Sequence, residues 1–334
     1  MEIIKYTSDY EEEWDKLIEC SINGTIFHKR KFINYHHKDK FIDDSLIIKD
    51  KNNIIALFPA AEIKKGEQKI LKSHPGTSYG GPVIMENIGL RKSFELLNII
   101  EKYAKENFYS SIEFRICPKI FHINPCDELE FAFIKNRFIR EDEELSTCYQ
   151  LKNYKGLSDE KLIDMFPNRS RRNKVRINIK KALSSNLKFR ILDEKKDINK
   201  FYMILENNLK KHKTLPTHSL DEIHRLFALL GDNIELLGVY KSDIMIAGYL
   251  LFKINHNSWH IFYASVDYEY QNDRPTTFGL FKLLQYYSNL DYKYVNIGIS
   301  TEDGGRIINW GLFDFKESFN GMGIMRTYWK KNLK

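Results

Sequence analysis

Between Asp314 and Gly321 the chain reads Asp-Phe-Lys-Glu-Ser-Phe-Asn-Gly, which sets one lysine, Lys316, between Phe315 and Phe319. A lysine so flanked is poorly suited to simple solvation, although a surface lysine is the plain alternative. An ammonium in such surroundings can meet a developing oxyanion, and amide-forming acyl transfer is one reaction that creates one. That reaction has two needs: the amine must be uncharged when it attacks, and the oxygen that gains charge must be met. Just upstream, Arg306 and Asn309 follow the Gly304-Gly305 pair and can position an anionic acceptor.

Other stretches offer binding groups. Pro275 suits a first helical turn, and the free amides there, with Arg274, Thr276 and Thr277, can hold the phosphate of a donor. The run from Ser73 to Pro82 has three glycines and two prolines, so it is neither a helix nor a central strand. Its Gly80 and Gly81 permit close backbone approach, and His74 and Tyr79 can hydrogen-bond a substrate; a tight connecting loop is the other reading. Seven basic residues fall between Asn168 and Ala182: Arg169, Arg171, Arg172, Lys174, Arg176, Lys180 and Lys181. They suit phosphate binding or a solvated helix face equally. Lys29, Arg30 and Lys31 with His28, His36 and His37 read as an anion site or a solvated basic face. His218 stands just outside a helix start and can serve as a general base, or simply as a loop residue. Tyr263 and Asn296 lie on strands, facing a cleft or hydrogen-bonded in the interior. Cys117, His122 and Cys126 read as buried thiols and a loop histidine, so no metal is expected.

The elements that must carry these residues are legible from periodicity. IELLGVY, IMIAGYLLFKI and SWHIFYAS are short apolar runs bounded by turn formers, and predict three antiparallel strands from Ile234 onward. Phe278, Phe281, Leu284 and Tyr287 recur at helical spacing, and YKYVNIGIS is a further strand. The closing GGRIINWGLFDFKESFNG is expected to be a loop, a short turn and a pairing segment. In the first half, SLIIKD and IIALFPAAEI form a hairpin, KILKS a third strand, Leu90 to Asn107 a helix and SIEFRI a strand. The same order thus occurs twice, an internal structural repeat. Ser219 and Glu222 form a capping box for the helix after His218.

A chain of 334 residues can hold two domains with cores of their own. The hydrophobic fraction of 43% and aromatic fraction of 13% exclude a disordered chain. A net charge of +7 favours anionic partners: phosphates, tRNA or, peripherally, a membrane surface. The four cysteines show no disulfide framework, the first residues lack an apolar leader, and no apolar run reaches the ~20 residues of a transmembrane segment. A reduced, cytoplasmic protein is expected.

Phe262-Tyr263-Ala264-Ser265, Asn296-Ile297-Gly298 and the Phe315-Lys316…Phe319 signature together resemble the Fem-type transferases, tandem GNAT-like enzymes of bacterial cell-wall biosynthesis. The resemblance implies an α/β fold of mixed sheets with two GNAT-like domains, 1–144 and 145–334, and a cleft between them. It implies that Lys316 acts at the oxyanion, that Gly80-Gly81 lines the acceptor cleft, and that Arg176 contacts the diphosphate of a nucleotide-linked acceptor. The pyrophosphate loop of ordinary acetyl-CoA enzymes is altered here, since Gln271 to Thr277 lacks its glycines and Arg274 takes the first of them. Fem-type enzymes also lack that loop and use aminoacyl-tRNA. The expected function is amide formation on an amine of a nucleotide- or lipid-linked envelope precursor, an amino sugar or a peptidoglycan peptide. Acyl-CoA or aminoacyl-tRNA serves as donor, with no tightly bound cofactor. A basic RNA-binding protein and a non-catalytic GNAT-like binding protein are the alternatives.

Overall fold

A computed structural model describes residues 1–37, 40–86, 88–166, 173–192, 194–211 and 213–333. The chain forms two compact units. The first comprises Met1–Glu144, Asp303–Gly305 and Met325–Lys334; the second comprises Leu145–Glu302 and Arg306–Ile324.

The first unit begins with β1 (Glu2–Lys5), α1 (Glu11–Cys20), α2 (Arg30–Ile33) and β2 (Ile42–Asp43). The hairpin β3 (Leu46–Asp50) and β4 (Asn53–Phe58) follows, then β5 (Ala60–Lys65), β6 (Gln68–Ser73) and β7 (Val83–Ile84). Pro59 divides what the sequence suggests as one strand: β4 joins the sheet β1-β3-β4-β7, while β5 pairs with β6. The amphipathic α3 (Gly89–Glu106) crosses to β8 (Ser111–Arg115), which runs parallel to β6. After α4 (Glu128–Lys135) comes β9 (Ile139–Gln150), within which the division between units falls. Leu96, Leu97 and Ile100 of α3 pack with Phe58, Phe114 and Trp329 in this unit's core.

The second unit continues with α5 (Asp159–Met165), α6 (Asn173–Ser184), β10 (Leu187–Leu192), α7 (Lys195–Lys211) and α8 (Leu220–Leu230). Both hydrogen bonds of the Ser219–Glu222 capping box are made at the start of α8. Next come β11 (Ile234–Lys241), β12 (Ile244–Asn255) and β13 (Ser258–Val266), the three antiparallel strands expected. From there α9 (Pro275–Asn289) crosses to β14 (Tyr294–Ile299), parallel to β13. The two-residue strands β15 (Thr301–Glu302) and β16 (Ile307–Ile308) precede α10 (Trp310–Ser318) and β17 (Met322–Asn332). The strand order in this unit is β10-β11-β12-β13-β14-β9.

The repeat seen in the sequence is real: β5, β6, α3 and β8 stand in the same relation as β12, β13, α9 and β14. Each set is an antiparallel pair whose second strand leads through a helix to a parallel neighbour. Two elements differ from expectation. The segment around Lys316 is a helix, α10, and Tyr328–Asn332 of the last strand pair with β8 of the first unit. The sequence-based division assigns that strand, with everything after residue 144, to the second domain. Among the described residues no helix is long and apolar enough to cross a membrane.

Candidate functional site

Strands β13 and β14 are hydrogen-bonded only over Ser258–His260 and Tyr294–Asn296. Beyond that point they part, and the second unit holds a cavity of about 570 Å³ with Ala264 and Val266 on one wall and Ile297 and Ile299 on the other. The parting has a local cause. Asn296 is fully buried, at 0% exposure, and its Oδ1 accepts the Gly298 amide at 3.1 Å, bending the end of β14. Gly298 takes φ +73°, a left-handed conformation that favours glycine. The same Oδ1 lies 2.7 Å from His260 Nδ1, and Asn296 Nδ2 donates to Ser146 Oγ at 2.8 Å and to the Thr147 carbonyl at 3.0 Å. Of the two sequence readings of Asn296, the structure shows the interior one.

Helix α10 sets Lys316 against this bent strand end. Its N-terminus is capped by Asn309, whose Oδ1 accepts the Leu312 amide at 3.0 Å. At its C-terminal end the Tyr149 hydroxyl donates to the Lys316 carbonyl at 3.1 Å, and the Tyr154 hydroxyl to the Phe319 carbonyl at 2.6 Å. Phe319 meets Phe315 and Phe166 edge-on, each at 5.6 Å. A side chain at Gly321 would stand 2.4 Å from Thr147 Cγ2, which accounts for the glycine after the helix. So held, Lys316 is 2% exposed. Its Nζ donates to the carbonyls of Gly298 and Ile299, at 2.9 and 2.8 Å. Burial lowers its pKa to about 7. Lys316 and Phe315 both line the cavity.

Across the cavity stands the start of α9. Arg274 adopts a left-handed conformation, φ +60°, and Pro275 opens the helix. The Tyr249 hydroxyl donates to the Thr276 carbonyl at 2.7 Å, and Gly279 lets the helix approach the Tyr249 ring. Arg274, Thr276 and Thr277 all line the cavity, so the structure brings these three together with Lys316. Two residues of the lining, Arg274 and Ser265, each carry a buried polar atom, Nε and Oγ, with no hydrogen-bond partner among the described residues.

The other candidates lie elsewhere. The register places Tyr263 opposite Leu250, after a bulge that leaves Phe262 unpaired. Gly248, two residues along on that face, packs on Phe201 of α7. Tyr263 therefore sits on the α7 face, where its hydroxyl lies 2.9 Å from His218 Nδ1 and accepts the His218 amide at 3.3 Å. His218 is buried there and is not among the cavity's lining residues. The Arg176 guanidinium donates to the Asp164 carbonyl of α5, and does not line the cavity. Asn309 serves as a helix cap, and Arg306 is exposed. His74, Tyr79, Gly80 and Gly81 belong to the first unit. Tyr79 is buried against Phe27 and Phe121, and the Gly80 carbonyl lies 3.1 Å from His28 Nε2. A Cβ at Gly80 would meet Ser73 at 2.6 Å, so this glycine serves packing. Arg169, Arg171 and Arg172 lie outside the described residues. Sequence reasoning missed Asn178 and Asn208, which line the cavity from α6 and α7. Asn178 sits two residues after Arg176, within the basic stretch read above, whereas nothing in the sequence distinguishes Asn208.

Comparison with known proteins adds the following. Residues 169–316, a segment that ends at Lys316, match the family described as acetyltransferase (GNAT) domain. No curated protein sequence matches the chain. The crystal structure of FemX is similar over 100% of this chain and 98% of its own, with a TM-score of 0.71 and 11% identity. A tandem GNAT protein from the clavulanic acid biosynthesis pathway is similar over 99% of this chain and 98% of its own, with a TM-score of 0.57 and 8% identity. For L-PGS from Bacillus licheniformis the shares are 86% and 83%, the TM-score 0.57 and the identity 10%. The chain thus has the tandem GNAT-like α/β fold seen in FemX, and its cavity lies in the unit that carries the acetyltransferase-domain match.

Proposed function

We propose that the protein is an acyltransferase that forms an amide on an amine of a cell-envelope precursor, an amino sugar or a peptidoglycan peptide carried on a nucleotide or lipid. The acyl donor is acyl-CoA or aminoacyl-tRNA. The single observation that carries this reading is Lys316, buried in the wall of the cavity with two N–H groups fixed on the carbonyls of Gly298 and Ile299. The likeness of the fold to FemX and to L-PGS supports acyl or aminoacyl transfer.

The chemistry follows from that geometry. The acceptor nitrogen attacks the acyl carbon, a C–N bond forms, and an electron pair moves onto the carbonyl oxygen. Collapse then breaks the bond to the donor's sulfur or ribose oxygen, and the nitrogen must lose a proton. With a pKa of about 7, Lys316 populates both of its forms near neutrality. Its third position is a lone pair in one form and an N–H in the other. In the neutral form it takes the proton; as the ammonium it faces the oxyanion. Arg274, Thr276 and Thr277 hold the donor's phosphate at the start of α9.

Thermal unfolding with acetyl-CoA and, in parallel, aminoacyl-tRNA tests this reading. A donor present at ~100 times its Kd adds roughly 2.7 kcal/mol to native stability. Lys316→Ala is expected to lower turnover far more than donor affinity. Steeply salt-dependent RNA binding with no turnover and no dependence on Lys316 would instead identify an RNA-binding protein.

A further inference from the structure

One face of the β8–β17 pair in the first unit carries an uneven set of charges. In the antiparallel register Tyr328 stands opposite Arg115 and Lys330 opposite Glu113, and Arg326, two residues before Tyr328, falls on the same face. One end of this face is balanced. Lys72 and Lys330 lie 2.8 and 3.4 Å from Glu113, and Lys330 lies 2.9 Å from Glu141. The other end sets two arginines, Arg115 and Arg326, against one carboxylate, Glu144. Glu144 Oε2 accepts the Tyr328 hydroxyl at 2.7 Å and lies 3.5 Å from Arg326 Nε. All of these residues belong to the first unit.

Arg115 is the charge left over. Among the described residues no carboxylate stands within ion-pair distance of it, and its guanidinium makes one hydrogen bond, from Nη1 to the Thr77 carbonyl at 3.2 Å. Its Nε is buried with no hydrogen-bond partner among those residues. The Cζ of Arg115 lies 4.7 Å from the Tyr328 ring centroid and that of Arg326 lies 5.7 Å from the same centroid, so two guanidiniums share one ring. Burial, and after it the charge of Arg326, pull the pKa of Arg115 below its usual value. An arginine does not release its proton in response, so the cost stays in the fold until a negative charge arrives.

A buried arginine need not be left in this state. Arg30, in the cluster that the sequence offers as an anion site, is 3% exposed, pairs with Asp43, donates to Ser45 Oγ at 3.0 Å and stacks over the Tyr6 ring at 3.7 Å. Its charge is met within the chain, which withdraws it from that role. Arg115 and Arg326 do not figure in the sequence reading, because only the pairing of β8 with β17 brings them together. Both are half-buried and not sealed, so a small ion can reach them from solvent. Two guanidiniums would repel a metal ion or an amine. Their planar N–H pairs match two oxygens of a carboxylate or a phosphate.

We propose that Arg115 and Arg326 form a binding site for an oxyanion, the carboxylate or phosphate group of a ligand, beside the Tyr328 ring. The site goes beyond the acyl-transfer reading, in which the donor's phosphate is held at Arg274 in the second unit. Isothermal titration calorimetry of the full-length protein at low ionic strength, with inorganic phosphate and acetate as separate probes, tests it. At least one of the two is expected to bind the wild type, and the tighter one identifies the group. Its affinity should fall at least about tenfold in Arg115→Gln and persist in Arg274→Gly. The same probe should raise the Tm of the wild type and not that of Arg115→Gln. If Arg115→Gln fails to fold, Arg326→Gln carries the test. Binding of neither probe, binding undiminished in Arg115→Gln, or binding lost in Arg274→Gly instead would each overturn the proposal.

Discussion

Replacing Lys316 by methionine keeps a long side chain in the space it fills and removes the titrating group. In the wild type the lysine has a pKa of about 7 when folded and an ordinary value of 10.5 when unfolded. Between those values the unfolded chain binds the extra proton and the folded chain does not, so stability rises with pH. Each pH unit in that window is worth up to about 1.4 kcal/mol. Below about pH 7 both states carry the proton, and the full cost of burying the charge is felt. Lys316→Met has no such slope, though it leaves the Gly298 and Ile299 carbonyls short of a donor, a penalty of about 1–3 kcal/mol that does not vary with pH. Urea unfolding of both proteins at pH 7, 8, 9 and 10 should therefore show the wild type losing ground to the variant as the pH falls. Parallel stability curves would refute the buried-lysine argument. The pH dependence of kcat/KM then separates the two roles of this group. A rise through about pH 7 marks the neutral amine as proton acceptor; a fall above it marks the ammonium as the required form.

The other predictions follow from the same geometry. Asn296→Ala strips partners from His260, Ser146, Thr147 and the Gly298 amide, and should cost at least about 3 kcal/mol in urea unfolding; a cost below about 1 kcal/mol contradicts its place as the hub of the strand end. Arg274→Gly relieves a left-handed non-glycine residue, so its Tm should hold or rise while acetyl-CoA affinity drops; a parallel loss of both refutes the donor assignment. Asn309→Ala removes the cap of α10 and should cost about 1 kcal/mol, read by the same melts. Tyr263→Phe deletes the hydroxyl shared with His218, and should cost about 1 kcal/mol while leaving turnover intact, since neither residue lines the cavity.

What the sequence disclosed, and what it withheld, divides along physical lines. The capping box at Ser219 and the three strands from Ile234 depend on neighbours within a few residues, and both are legible. The burial of Lys316 is foreshadowed by Phe315 and Phe319, because apolar flanks leave a charge little room to reach water. Helix α10 is not foreshadowed. Its residues, Trp310 to Ser318, bury only Phe313 and Lys316 and leave Trp310 exposed, so the apolar stripe that announces a helix is missing. The side of the sheet on which Tyr263 and His218 lie turns on one unpaired residue, Phe262, and a shift of one residue reverses the faces of everything beyond it. Asn309 and Arg176 have side chains suited to ligands. Whether such groups meet a substrate or their own backbone is decided by contacts that spacing alone does not encode.

The strand that pairs with β8 is built from residues more than two hundred positions later in the chain. During synthesis the first unit therefore emerges early and must wait. Until Tyr328–Asn332 have left the ribosome, β8 presents an unfilled hydrogen-bonding edge, open to pairing with another nascent chain. The strands of the second unit from β9 to β14 are available sooner. The N-terminal half of this protein is thus the last to mature, and truncation after Ile324 should damage the unit at the opposite end of the sequence first.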